Sequence, residues 1–176
     1  MRPAQPLLVL FCGIPGSGKT TIAAALAREL PRCVHVQADQ VRAMVARPQY
    51  DGGESRFVYG AAAALAGEAL RSGYDVVLDA TFGRRGYRSE ALAELEPLSS
   101  LVLVVYVSCD LATALARNAS RRDPVPEETL ARIHRTFEPP AGAVEVDTTR
   151  MTAEEATALV VGEVRRLAEG GGPAER

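Results

Sequence analysis

The stretch Leu7–Ala25, LLVLFCGIPGSGKTTIAAA, constrains the fold more than any other part of the chain. Leu7-Leu8-Val9-Leu10-Phe11 is a continuous apolar run, short enough to be a strand buried on both faces. Gly13-Ile14-Pro15-Gly16-Ser17-Gly18-Lys19-Thr20 then fits G-x-x-x-x-G-K-[ST] at every fixed position. A helical pattern follows at once, with Ile22, Ala23, Leu26, Ala27 and Leu30 on its apolar side. A strand, a glycine loop and a helix in that order are the context that makes the string a phosphate site. Glycines 13, 16 and 18 let the backbone curl so that its N–H groups point inward at anionic oxygens. The start of the next helix adds unpaired N–H groups and a positive dipole end. Ser17 and Thr21 complete the loop's polar lining, Lys19 is placed to reach the outer phosphates, and the Thr20 hydroxyl is placed to hold Mg²⁺.

The basic residues strengthen this reading. Of 20 Lys+Arg, Lys19 is the single lysine and all the others are arginine. A compact ammonium on a flexible stem suits phosphate there, and a planar guanidinium does not replace it easily. The sequence therefore predicts binding of a nucleoside triphosphate. With 176 residues, the chain is expected to form one domain over residues 1–169 and a frayed polar tail over Gly170–Arg176. A net charge of −2 gives no reason to expect a large basic surface for long nucleic acid. Cys12, Cys33 and Cys109 show no metal or disulfide spacing and read as buried free thiols of a reducing cytoplasm. Neither a membrane span nor a cleavable leader is expected, and the sequence is silent on oligomeric state.

Strand and helix patterns alternate along the chain. Strands are expected at Leu7–Cys12, Cys33–Val36, Tyr74–Asp79, Leu101–Val107 and Ala143–Val146. Helices are expected after Gly18, at Gln40–Ala46, Glu54–Ser72, near Tyr87–Leu95, at Leu111–Ser120, Glu127–Phe137 and Thr152–Ala168, with Gln49–Gly53 as a loop. This alternation predicts an α/β fold, a five-stranded parallel sheet with helices on both faces. Ligands of such sheets sit beyond the carboxyl ends of the strands. The glycine loop, Asp39, Asp79, Cys109-Asp110 and Asp147 all fall there.

Asp39 and Arg42 lie one helical turn apart beyond the second strand, so both can face one cleft. Asp39 could accept a proton from a hydroxyl attacking the γ-phosphate, or could merely cap a helix; Arg42 could hold an acceptor. Asp79 closes the third strand, a position suited to a magnesium ion or simply to a turn residue after a strand, and Thr81 follows it. The residue after Asp79 is Ala80, not a water-activating glutamate, and no Asn-Lys-x-Asp guanine signature occurs, so a motor or a GTP switch is disfavoured. Arg117 and Arg121 share a helix face and could close over the triphosphate as part of a basic lid at about 117–137, or simply form a solvated helix end. Arg84, Arg85 and Arg88 form a local basic patch that could meet an anionic acceptor or simply face solvent. His35 and His134 read as structural, and Tyr50, Phe57 and Tyr59 as packing residues with stacking on an acceptor base as the alternative.

GIPGSGKT, Asp39-x-x-Arg42, Val77-Leu78-Asp79-Ala80-Thr81 and Arg117-Asn118-x-x-Arg121 followed by Val125-Pro126 and Leu130 together resemble the phosphate-loop hydroxyl kinases. The resemblance spans about Leu7 to Pro140 and is strongest to polynucleotide 5′-hydroxyl kinases and seryl-tRNA(Sec) kinases. It implies an ATP- and Mg²⁺-dependent transfer of the γ-phosphate to an acceptor hydroxyl. Asp39 would be the general base, Lys19 and Arg121 would act on the transferring group, and Arg42 would contact substrate phosphate. Arg117 and Arg121 would hold ATP phosphates, and Arg42, Thr81 and Arg88 would line the acceptor side. A polynucleotide 5′-hydroxyl is the acceptor expected first, a metabolite, sugar-nucleotide or antibiotic hydroxyl second, and a slow nucleotide-dependent regulatory module is the rival class.

Overall fold

A computed structural model describes residues 6–170. The tail expected over Gly170–Arg176 therefore lies, beyond Gly170, outside the described residues. Five strands form the expected all-parallel sheet: β1 (Leu7–Cys12), β2 (Cys33–Gln37), β3 (Asp75–Asp79), β4 (Leu101–Ser108) and β5 (Val144–Asp147), in the spatial order β2-β3-β1-β4-β5. Helix α1 (Lys19–Glu29) follows β1, and α2 (Ala38–Arg42) and α3 (Gly52–Arg71) follow β2. Helix α4 (Arg85–Leu95) follows β3, α5 (Leu111–Ala119) and α6 (Glu127–Thr136) follow β4, and α7 (Ala153–Ala168) follows β5.

β1 takes the centre because it can be buried on both sides. Its pleat sends Leu8, Leu10 and Cys12 toward α3 and α4, where they meet Val58, Ala62, Leu70 and Leu95. Leu7, Val9 and Phe11 point the other way, toward Ile22 and Leu26 of α1 and Val160 of α7. Each fully buried leucine or phenylalanine contributes about 1.5–3 kcal/mol, so the apolar run of β1 is a principal anchor of both layers. Register then fixes the ligand edge: Phe11 pairs with Asp79 and Val105, so β1 and β3 end together while β4 runs on to Ser108 beside Asp147 of β5.

The boundaries of α2 and α3 differ from those the periodicity predicts. α3 starts at Gly52, not Glu54, because the Asp51 carboxylate accepts the Glu54 amide at 2.7 Å and caps it. α2 begins at Ala38, two residues earlier than the pattern predicts, and ends at Arg42, short of the expected Ala46. Asp39 therefore lies inside the first turn rather than before it, and its side chain makes no capping bond. Among the described residues, no helix is long and apolar enough to cross a membrane.

Candidate active site

The glycine loop between β1 and α1 takes the conformation its residues allow. Gly13, Gly16 and Gly18 all have positive φ (155°, 82° and 88°), a region L side chains rarely adopt. At Gly13 space forbids a side chain as well, since a Cβ would lie 2.3 Å from the Val107 carbonyl oxygen of β4. The Gly13 amide donates to the Thr81 carbonyl oxygen at 3.2 Å, tying the loop to the end of β3. Gly18 is the N-cap of α1, its carbonyl accepting from the Thr21 and Ile22 amides, while the Gly18, Lys19 and Thr20 amides lack a partner within the helix.

Lys19 is buried and makes no ion pair among the described residues. Asp79 is buried as well, and its Oδ1 has no hydrogen-bond partner; the buried Ser17 Oγ is in the same state. An orphaned polar atom in a protein interior costs free energy unless a ligand satisfies it. Burial alone would raise the Asp79 pKa, but His35, the charge of Lys19 and the Thr20 hydroxyl outweigh it and hold the carboxyl below the ordinary range. His35 Nε2 stands 3.7 Å from Asp79 Oδ2, an ion-pair rather than a hydrogen-bond separation. One buried carboxylate and the Thr20 hydroxyl are hard oxygen donors of the kind Mg²⁺ takes beside phosphates, so these residues fit that ion.

Asp39 faces a cleft of about 670 Å³ bounded by α2, the start of α3, the 81–87 segment and α6. Arg121 reaches across from the α5–α6 connection and bonds Asp39 Oδ2 through Nη2 at 3.1 Å. The general-base candidate and the lid arginine thus meet although 82 positions separate them. Thr81 and Pro15 line the same cleft, which adjoins the glycine loop.

Other candidates occupy different positions. Arg117 docks on the loop itself: its Nη1 donates to Thr148 Oγ1 at 2.9 Å and to the Gly16 carbonyl oxygen at 3.4 Å, and its Nη2 to the Thr148 carbonyl oxygen at 3.0 Å. Arg42 is an ion-pair partner of Glu54, with side chains only 10% and 9% exposed, and its guanidinium lies over the Tyr50 ring. Its positive charge is therefore balanced inside the protein, although the residue also lines the cleft. Arg88 lies apart from the cleft. It is buried and donates through Nη1 to the Phe82 carbonyl oxygen at 2.6 Å. That bond secures a turn in which Phe82 adopts a left-handed φ of 43° with its ring fully buried. Arg84 and Arg85 remain exposed. Tyr59 packs between Phe82 and Tyr87 at ring separations of 4.8 and 5.0 Å, whereas Phe57 faces solvent. Asp110 caps α5, and Asp147 accepts the Thr149 amide. Of the cysteines, only Cys12 is fully buried; Cys33 and Cys109 are partly exposed.

Sequence reasoning missed Thr148. Its hydroxyl donates to the Ser17 carbonyl oxygen at 2.7 Å and accepts from Arg117, linking the end of β5 to the glycine loop. The signal was positional: Thr148 directly follows Asp147 at the ligand edge of the sheet.

A family profile described as an AAA domain matches residues 8–140, the span that carries the loop, Asp39, Asp79 and both lid arginines. The chain belongs to this AAA domain family. Solved structures share its architecture across nearly the whole chain. A gluconokinase from Sinorhizobium meliloti 1021 is 21% identical over 96% of this chain and 97% of its own, with a TM-score of 0.71. The Mycobacterium tuberculosis APS kinase CysC, in complex with AMPPNP and APS, is 19% identical over 95% and 99%, with a TM-score of 0.70. A chain of the Pnkp1/Rnl/Hen1 RNA repair complex is 18% identical, with a TM-score of 0.60 over 77% of this chain and 47% of its own. At these identities the likeness establishes the fold, the phosphate-loop α/β sheet expected from the sequence.

Proposed function

We propose that the protein is an ATP-dependent kinase that moves the γ-phosphate of ATP to an acceptor hydroxyl. The observation that supports this most is the meeting of Asp39 and Arg121 in the cleft beside the glycine loop. A carboxylate on the acceptor side and a cation facing it are what in-line transfer to an alcohol uses. In this reading Lys19 and the loop amides bind the triphosphate, while Arg117 and Thr148 hold the loop in its cradle shape. When ATP binds, Arg121 exchanges Asp39 for the anionic γ-phosphate and leaves the carboxylate free. Asp39 then takes the hydroxyl proton as the acceptor oxygen bonds to the γ-phosphorus and the bond to the departing ADP breaks. Thr20 and Asp79 would hold Mg²⁺, which neutralises charge on the phosphates.

The sequence resemblance favours a polynucleotide 5′-hydroxyl as acceptor. The Arg42–Glu54 pair favours the alternative, a small-molecule hydroxyl, because the cation that would contact a nucleic acid phosphate is already neutralised. Transfer of γ-labelled phosphate from ATP to an acceptor, by the wild type and Asp39→Asn, tests the central reading. Loss of transfer with ATP affinity retained supports it; undiminished transfer in the variant removes Asp39 from the base role.

A further inference from the structure

The charges lining the acceptor cleft separate into those already spent and those still available. Arg42 is paired with Glu54 across two nearly buried side chains, and the Gln49 amide donates to the same carboxylate, fixing it. Arg121 is paired with Asp39. Two other arginines line the cleft, Arg84 and Arg132, and among the described residues neither makes an ion pair or a hydrogen bond through its side chain. They belong to the same neighbourhood. The Gly83 carbonyl oxygen, next to Arg84, accepts the Glu138 amide at 2.8 Å, just past the end of α6. α6 is the helix that presents Arg132 and, one turn on, Thr136 to the cleft. The Arg85 amide donates to Glu138 Oε2 at 2.6 Å, so a second bond fastens the two segments together. Of the cleft's carboxylates besides Asp39, Asp51 is occupied in capping α3, and Asp123 makes no ion pair among the described residues.

We propose that the acceptor is a small molecule carrying an anionic group as well as the hydroxyl, with Arg84 and Arg132 holding the anion while Asp39 faces the hydroxyl. This rests on the kinase reading above and specifies the substrate class of the same cleft. Two exposed guanidinium groups on adjoining segments can share one carboxylate or phosphate in the forked manner arginine favours. Arg42 contributes differently. With its charge neutralised, its remaining N–H groups offer direction without net attraction, which suits a neutral hydroxyl better than a phosphodiester. A volume of about 670 Å³ accommodates a compact metabolite.

The test uses matched pairs of acceptors that differ in charge: gluconate against glucose, glycerate against glycerol, ribose 5-phosphate against ribose, with a short 5′-hydroxyl RNA alongside. Label transfer from ATP is measured for the wild type and for the double variant Arg84→Gln/Arg132→Gln, with ATP affinity measured separately on both. The wild type is expected to favour the charged member of at least one pair by about tenfold or more in kcat/KM. In the double variant that ratio should fall toward one, through KM rather than kcat, with ATP affinity retained. Carboxylate pairs and phosphate pairs tell the two sources of the anion apart. Equal use of charged and neutral members, a ratio unmoved by the double substitution, or transfer to RNA alone would overturn the proposal. So would ATP binding without transfer to any anionic acceptor. Failure of the wild type to bind ATP would instead strike the kinase reading on which this rests.

Discussion

Replacing Thr148 with valine removes one hydroxyl and little volume, and its consequences can be worked from the structure. Thr148 is buried, and its single hydroxyl proton goes chiefly to the Ser17 carbonyl oxygen at 2.7 Å, with the Ser108 carbonyl oxygen farther away at 3.3 Å. Valine leaves the Ser17 carbonyl without that donor, a loss of about 1–3 kcal/mol for a buried group. Arg117 also loses the acceptor for its 2.9 Å bond, but this guanidinium is exposed, so water recovers most of that contribution. A net loss of about 2 kcal/mol corresponds, in a chain of this size, to a melting temperature lower by about 4–8 °C. Because the two severed bonds tether the glycine loop, ATP affinity should fall as well, by about tenfold. Thermal melting and titration of ATP by calorimetry measure the two effects, and Thr148→Ser, which keeps the hydroxyl, should recover most of both. Melting and ATP affinity in Thr148→Val indistinguishable from the wild type would refute the tether.

Further outcomes follow from other parts of the site. Gly13→Ala would place a Cβ 2.3 Å from the Val107 carbonyl oxygen, so ATP binding in a filter or calorimetric assay should be lost, and normal affinity would show the loop to be far more pliant than its geometry implies. Asp79, with its pKa depressed in the folded state, stabilises the fold above the ordinary aspartate value of 3.8, and that contribution is lost as pH falls through the lower folded value. Melting curves across the acid range should therefore be flatter for Asp79→Asn than for the wild type, and equal slopes would contradict the assignment. Arg121→Ala should lower turnover more than ATP affinity, and equal losses would remove its action on the transferring group. Burial pushes the Cys12 thiol up to about 12, so alkylation mapped by mass spectrometry should reach Cys109 first and Cys12 only on unfolding.

Local patterns carried the fold. β1 and β4 are short apolar runs, β2 and β5 alternate apolar and polar residues, and the alternation of strands with helices sufficed for a parallel sheet covered on both faces. The order β2-β3-β1-β4-β5 was not legible, because nothing local says which strands become neighbours. The glycine loop was fully readable, since its conformation depends on the glycines themselves. Pairings between distant segments were not. Arg42 finds Glu54 across a loop of irregular backbone, and Arg88 turns inward because the Phe82 turn needs a donor. A residue list shows an arginine near a site, but only the fold shows whether its charge is already compensated. Asp39 shows how a small shift of a helix start decides where a side chain faces. Capping was the competing sequence reading, and the two-residue shift of α2 left its carboxylate turned to the cleft.

The most direct test of the account is the rate of ADP formation from ATP with and without acceptors, in the wild type and Asp39→Asn. The account predicts slow ADP release alone, strong stimulation by an acceptor that becomes phosphorylated in equal amount, and no stimulation in the variant. ADP formation at one rate whatever hydroxyl is supplied, equally in both proteins, would contradict it and indicate a nucleotide-driven module that hydrolyses ATP without transferring its phosphate.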